Sequence, residues 1–139
     1  MKPGSKEINY EQLVESALIG VVRDILRQVS KNGLIGLSHY YINFSTRHAG
    51  VNIPDFLHDR FPHEMTIVLQ HQFWDLVVRD EDFSVSLSFG GEGHVLTIPF
   101  AALISFADPA REFGLRFALQ TEIAASLSDA AARALESLT

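Results

Sequence analysis

Phe83-Ser84-Val85-Ser86-Leu87-Ser88-Phe89-Gly90-Gly91-Glu92-Gly93-His94-Val95-Leu96-Thr97-Ile98-Pro99 decides the fold class. Phe83, Val85, Leu87 and Phe89 alternate with Ser84, Ser86 and Ser88, so one face is large and apolar and the other small and hydroxylic. That period of two is the mark of a half-buried strand. Gly90-Gly91-Glu92-Gly93 reads as a hairpin connection, since glycine supplies the positive φ of tight turns. Residues 94–98 return as the partner strand, and Pro99 ends the ladder.

Working outward, residues 65–72 read as another strand, with Met65, Ile67 and Leu69 on one side and Thr66, Val68 and Gln70 on the other. Residues 74–78 make a short strand before the acidic turn Asp80-Glu81-Asp82. Residues 39–45 alternate Tyr40, Ile42 and Phe44 against Tyr41, Asn43 and Ser45. Residues 47–52 form a loop, and Pro54 opens a helical turn through Arg60, having no N–H to orphan there. Downstream, residues 100–106 read as a helical turn broken by Asp108-Pro109, and Phe113, Leu115, Phe117 and Leu119 mark a last strand. Residues 121–139 are Ala- and Ser-rich and read as a helix or a tail.

Residues 9–31 carry the helical pattern. Asn9 with Gln12 resembles a capping box, and Gly33 sits where a C-cap is wanted. Val14, Leu18, Val21, Ile25 and Val29 recur at three- and four-residue steps, and Leu13, Ala17, Val22 and Leu26 widen the stripe. It is broader than one sheet face requires. Both a helix packed on its own domain and a homodimer seam through Val14, Leu18, Val21 and Ile25 are compatible with it. The expected fold is mainly β with an N-terminal helix, its strands forming a small bent antiparallel sheet or partly open barrel. Residues 9–119 form the domain, with 1–8 disordered before it and 120–139 a helix or tail after it.

Composition narrows the function. With 139 residues, 47% of them hydrophobic and 20% charged, the chain supports one buried core. A net charge of −6 argues against partners held by phosphate electrostatics, nucleic acid and anionic membrane alike. There is no cysteine, which excludes disulfides, thiolate metal sites and cysteine nucleophiles. No signal peptide and no apolar run of about 20 residues is visible, so a cytoplasmic location is expected.

Catalytic patterns are missing. His58 and His63 with Glu64 lie close in sequence, but Pro62 breaks the spacing that would put both imidazoles on one helical face, so no metal is expected. His71 has no Ser, Thr or carboxylate in a triad motif, and the glycine run is followed by no Lys-Ser/Thr that would make a phosphate cradle. No enzyme and no cofactor are expected. The serine face and the amides of Gln70 and Gln72 instead suit an extended peptide, to whose backbone an amide can both donate and accept.

Residues 65–76, residues 83–91 and the segment Ile98-Pro99-Phe100-Ala101-Ala102-Leu103 together resemble the stringent starvation protein B (SspB) family, in its alphaproteobacterial branch. The resemblance spans roughly residues 9–119. It implies an Sm-like fold, a homodimer built partly through the N-terminal helix, and an adaptor that binds the ssrA degradation tag and delivers tagged polypeptides to ClpX of the ClpXP protease. It places tag contacts on Gln70, His71, Gln72, Val85, Leu87, Phe89, Gly90 and Gly91, with Trp74 and Ala101 beside them. The family's tail motif for docking on ClpX has no counterpart in Ala134-Leu135-Glu136-Ser137-Leu138-Thr139. The alternatives are an Sm-like RNA-binding module, which the net charge disfavours, and a peptide-binding domain without a protease.

Overall fold

A computed structural model describes residues 7–117. Helix α1 spans Tyr10–Asn32, with the Asn9 side chain accepting from the Gln12 N–H at 3.0 Å. Gly33, at φ 79°, closes it by donating to the Val29 carbonyl at 2.8 Å. The strands are β1 Tyr40–Ser45, β2 Glu64–Leu69, β3 Phe73–Val78, β4 Asp82–Phe89, β5 Glu92–Pro99, β6 Leu103–Asp108 and β7 Phe113–Arg116. A short helix α2, Asp55–Arg60, lies between β1 and β2. Pro54 precedes it, its carbonyl accepting from the Leu57 and His58 N–H groups.

Two antiparallel sheets result, one ordered β2-β1-β6-β7 and the other β3-β4-β5. The fold is thus mainly β with an N-terminal helix, as the alternation predicts, and no strand pairing among the described residues closes it into a barrel. Ile42, Phe44, Ile67 and Phe106 of the first sheet and Phe83, Val85, Leu96 and Ile98 of the second belong to one buried cluster. Val22, Leu26 and Val29 add the buried stripe of α1. Ser30 donates to the Leu76 carbonyl at 2.7 Å, and Arg27 and Arg23 reach the side chain and carbonyl of Asp80, pinning α1 over β3. Tyr10, Leu13, Val14 and Val21 remain exposed on a different face, while Leu18 and Ile25 pack between the two.

Several local readings change. Residues 70–72 are not strand: β2 stops at Leu69, and Gln70-His71-Gln72 carries the chain from one sheet to the other. Residues 103–108 are a strand, not the end of a helical turn; only Phe100–Ala102 is helical, as one 3₁₀ turn. The hairpin turn is Gly90-Gly91 alone, at φ 60° and 88°, because Glu92 and Gly93 already pair with Phe89 and Ser88. The serine face is less open than its pattern predicts. Ser86 is buried, standing in register between Trp74 and Val95. The last strand stops at Arg116, and the expectations for residues 1–6 and for 118–139 lie outside the described residues.

Trp74 and Leu76 share strand parity yet face opposite ways, one exposed and the other buried. A bulge explains this: Asp75 and Leu76 oppose the single residue Val85, with Asp75 at φ 54°, a conformation that Asp tolerates better than most residues.

Tyr40 is half-buried and stacks on Phe106, with ring centroids 5.2 Å apart. Burial pushes its phenol above the ordinary value of 10.0, and the Asp108 carboxylate adds to the rise; a hydrogen bond with Ser38 and the charge of Arg111 oppose it. The folded state therefore holds this proton more tightly than the unfolded chain. Its stabilising effect is complete below about pH 10 and is lost as the pH climbs further. Tyr40→Phe is expected to flatten the alkaline fall in stability, measured as urea midpoints at pH 9 and pH 11. An unchanged fall would assign it to other groups.

Candidate peptide-binding groove

β2 is an edge strand: β1 pairs it along one side, and among the described residues no strand pairs the other. An edge strand turns a row of unpaired N–H and C=O groups outward. Met65, Ile67 and Leu69 point into the core, so Thr66 and Val68 stand on the exposed face. Asn43 fixes the strand from β1, donating to the Thr66 hydroxyl at 2.8 Å and the Met65 carbonyl at 3.3 Å.

β4 is central in its sheet, but β3 begins only at Phe73, opposite Leu87. Ser88 and Phe89 thus run past the end of β3 with β5 on one side only. Between this free end of β4 and the edge of β2 lies the crossing Gln70-His71-Gln72. The three surfaces enclose an open recess of about 370 Å³. Thr66, Ile67 and Val68 line it from β2, Gln70, His71 and Gln72 from the crossing, and Leu87, Ser88 and Phe89 from β4. At its far end Phe89 meets Phe56 edge-on at 6.3 Å and His94 at 6.2 Å, and His94 lies 3.4 Å from the Glu92 carboxylate.

Among the described residues, the lining holds no Asp, Glu, Lys or Arg. Two glutamine amides offer paired donors and acceptors, and Val68, Leu87 and Phe89 offer apolar contact. This is the chemistry of extended-backbone recognition: strand-edge groups and amides hold the main chain, and shallow apolar walls take alternate side chains. Among the described residues, no carboxylate lines the recess to orient His71 as a base. Among the described residues, no group of three or more His, Asp or Glu side chains is placed to hold a metal ion.

Of the residues expected at the site, Gln70, His71, Gln72, Leu87 and Phe89 come together in this recess. Gly90 and Gly91 form the hairpin tip just beyond Phe89. Val85 lies inside the core, Trp74 is on the outer sheet face over Gly93, and Ala101 is exposed in the 3₁₀ turn after β5. Ser88, from the serine face expected to suit a peptide, also lines the recess, and Thr66, Ile67 and Val68 join it without having been expected there. The signal for Thr66 and Val68 was present, since a threonine and a branched apolar residue alternate on a strand face. What was missing was that β2 ends its sheet.

No helix among the described residues is long and apolar enough to cross a membrane. No curated protein matches the chain. The family model of stringent starvation protein B matches residues 12–137, which takes in both sheets and the whole recess. By that match over most of its length, the chain belongs to the stringent starvation protein B (SspB) family.

Proposed function

We propose that this protein is a proteolytic adaptor. Its recess between β2 and β4 binds the ssrA degradation tag as an extended peptide, and it hands tagged chains to ClpX of the ClpXP protease in the cytoplasm. The observation that carries this reading is the uncharged groove whose walls are a free strand edge, the free end of β4 and the amides of Gln70 and Gln72. Membership of the SspB family supports it. No covalent chemistry is assigned to the protein; a cargo held near the protease pore gains effective concentration instead.

Gln70, Gln72, Leu87 and Phe89 are the main tag contacts in this reading, with His71 beside them and Gly90-Gly91 holding Phe89 in place. Residues 9–119 form the tag-binding domain, with residues 1–8 and 120–139 outside it. The exposed face of α1 through Val14 and Val21, flanked by Leu18 and Ile25, joins two copies.

Fluorescence anisotropy with a labelled ssrA-type peptide tests the groove. Saturable binding is expected with Kd in the micromolar range or tighter, about −8 kcal/mol or better. Gln72→Ala is expected to weaken binding by about tenfold, the order of one or two lost hydrogen bonds, with the melting temperature nearly unchanged because Gln72 is exposed. Equal losses of binding and stability would mark Gln72 as structural, and no saturable binding by the parent protein would end the tag-binding reading.

A further inference from the structure

We infer that the groove continues past the Gln70–Gln72 crossing into a second recess, which takes one apolar side chain from the residues flanking the segment held between β2 and β4. This inference rests on the peptide-binding reading above. The second recess measures about 410 Å³ and lies between the crossing and the loop that joins α1 to β1. Gln70 and His71 line both recesses, so the two lie on either side of the crossing, which we take as a shared sill. A peptide leaving the first recess in an extended form advances about 3.3 Å per residue, so a three-residue extension reaches about 10 Å beyond it.

Leu34, Leu37 and Phe73 supply the walls, with Ser38 as the further polar group, and no Asp, Glu, Lys or Arg among the described residues lines the space. Leu37 is 88% exposed, the most exposed large apolar residue described. Its loop is nevertheless a defined turn: the Ser38 N–H donates to the Ile35 carbonyl at 3.1 Å, and His39 Nδ1 lies 3.1 Å from the Leu37 carbonyl. The leucine is thus held out beside the sill and is not folded onto the core. Such a wall favours leucine, methionine or phenylalanine, and packing a carboxylate against it is costly.

The test compares seven labelled peptides by anisotropy. One is the ssrA-type core, and the others extend it by three residues ending in Leu, Ser or Asp, each built at either terminus. The Leu extension at one terminus is expected to tighten binding about tenfold, as one largely buried leucine would, and the Ser and Asp extensions to leave it unchanged. Leu37→Ser is expected to erase that gain while the core peptide keeps its affinity, and an exposed position tolerates the change without unfolding. A core peptide that binds with no gain from leucine at either terminus, or a gain that survives Leu37→Ser, overturns the second recess alone. A core peptide that fails to bind overturns the groove as well. A change of oligomeric mass in Leu37→Ser, read by sedimentation, would assign the recess to a second copy of the chain and overturn the inference.

Discussion

Phe106→Ala is expected to destabilise the protein by about 3–5 kcal/mol, the cost of deleting a buried phenylalanine and leaving a cavity. Phe106 is fully buried in β6, pairs with Ile42 on one side and Leu115 on the other, and carries Tyr40 stacked on its ring. Neighbours fixed on both sides by strand ladders leave little scope for collapse into the void. Against a total of roughly 5–15 kcal/mol, such a loss removes a large share of the stability. Urea denaturation at neutral pH reads it directly as a lower midpoint with unchanged slope. A loss below about 1 kcal/mol would mean that β6 does not belong to the core. The proposed tag binding is expected to persist in the folded fraction, because the ring does not line the recess.

The paired change Val14→Glu and Val21→Glu is expected to turn the proposed dimer into a monomer. Both valines stand on the exposed apolar face of α1, with Leu13 and Tyr10 beside them, while Val22, Leu26 and Val29 pack inward. In a two-fold seam each substitution is repeated on the facing helix, so four carboxylates would be placed among apolar groups. A rise of at least a hundredfold in the dimer dissociation constant is expected, measured by sedimentation equilibrium. Peptide affinity per chain is expected to hold, since neither residue lines the recess. An unchanged mass would remove this face from the interface, and a parent protein that is monomeric at high concentration would remove the dimer.

What was legible in the sequence follows local physics. The helix showed itself because Asn9, the stripe through Val29 and Gly33 act within a few residues of one another. The β4–β5 hairpin showed itself because Phe83 to Phe89 alternate without interruption and two glycines take the turn. The candidate site was half legible: Gln70 and Gln72 stood out by their amides, while His71, Leu87 and Phe89 came from the resemblance alone, since alternation by itself assigned Leu87 and Phe89 to the core. Thr66 and Val68 escaped because an edge strand differs from a central one only in what lies beside it. β6 escaped for a geometric reason. A bulge sets Asn43 opposite Ser105 but Phe44 opposite Leu103, so Leu103 and Phe106 both face inward three residues apart. That spacing imitates a helix. The bulge at Asp75 likewise turned Trp74 outward, where strict alternation puts it on the same side as Leu76.

A strand kept free to welcome a guest is equally free to zip onto its own twin, and uncontrolled self-association is the standing hazard of such a border. Here the hazard is contained by brevity. Pro62, which has no N–H to offer, precedes the strand, Glu64 sets a charge at its first position, and the chain swerves away after Leu69. Six residues are enough to clasp a short visitor whose side chains find walls, and too few for two naked borders to hold each other without them.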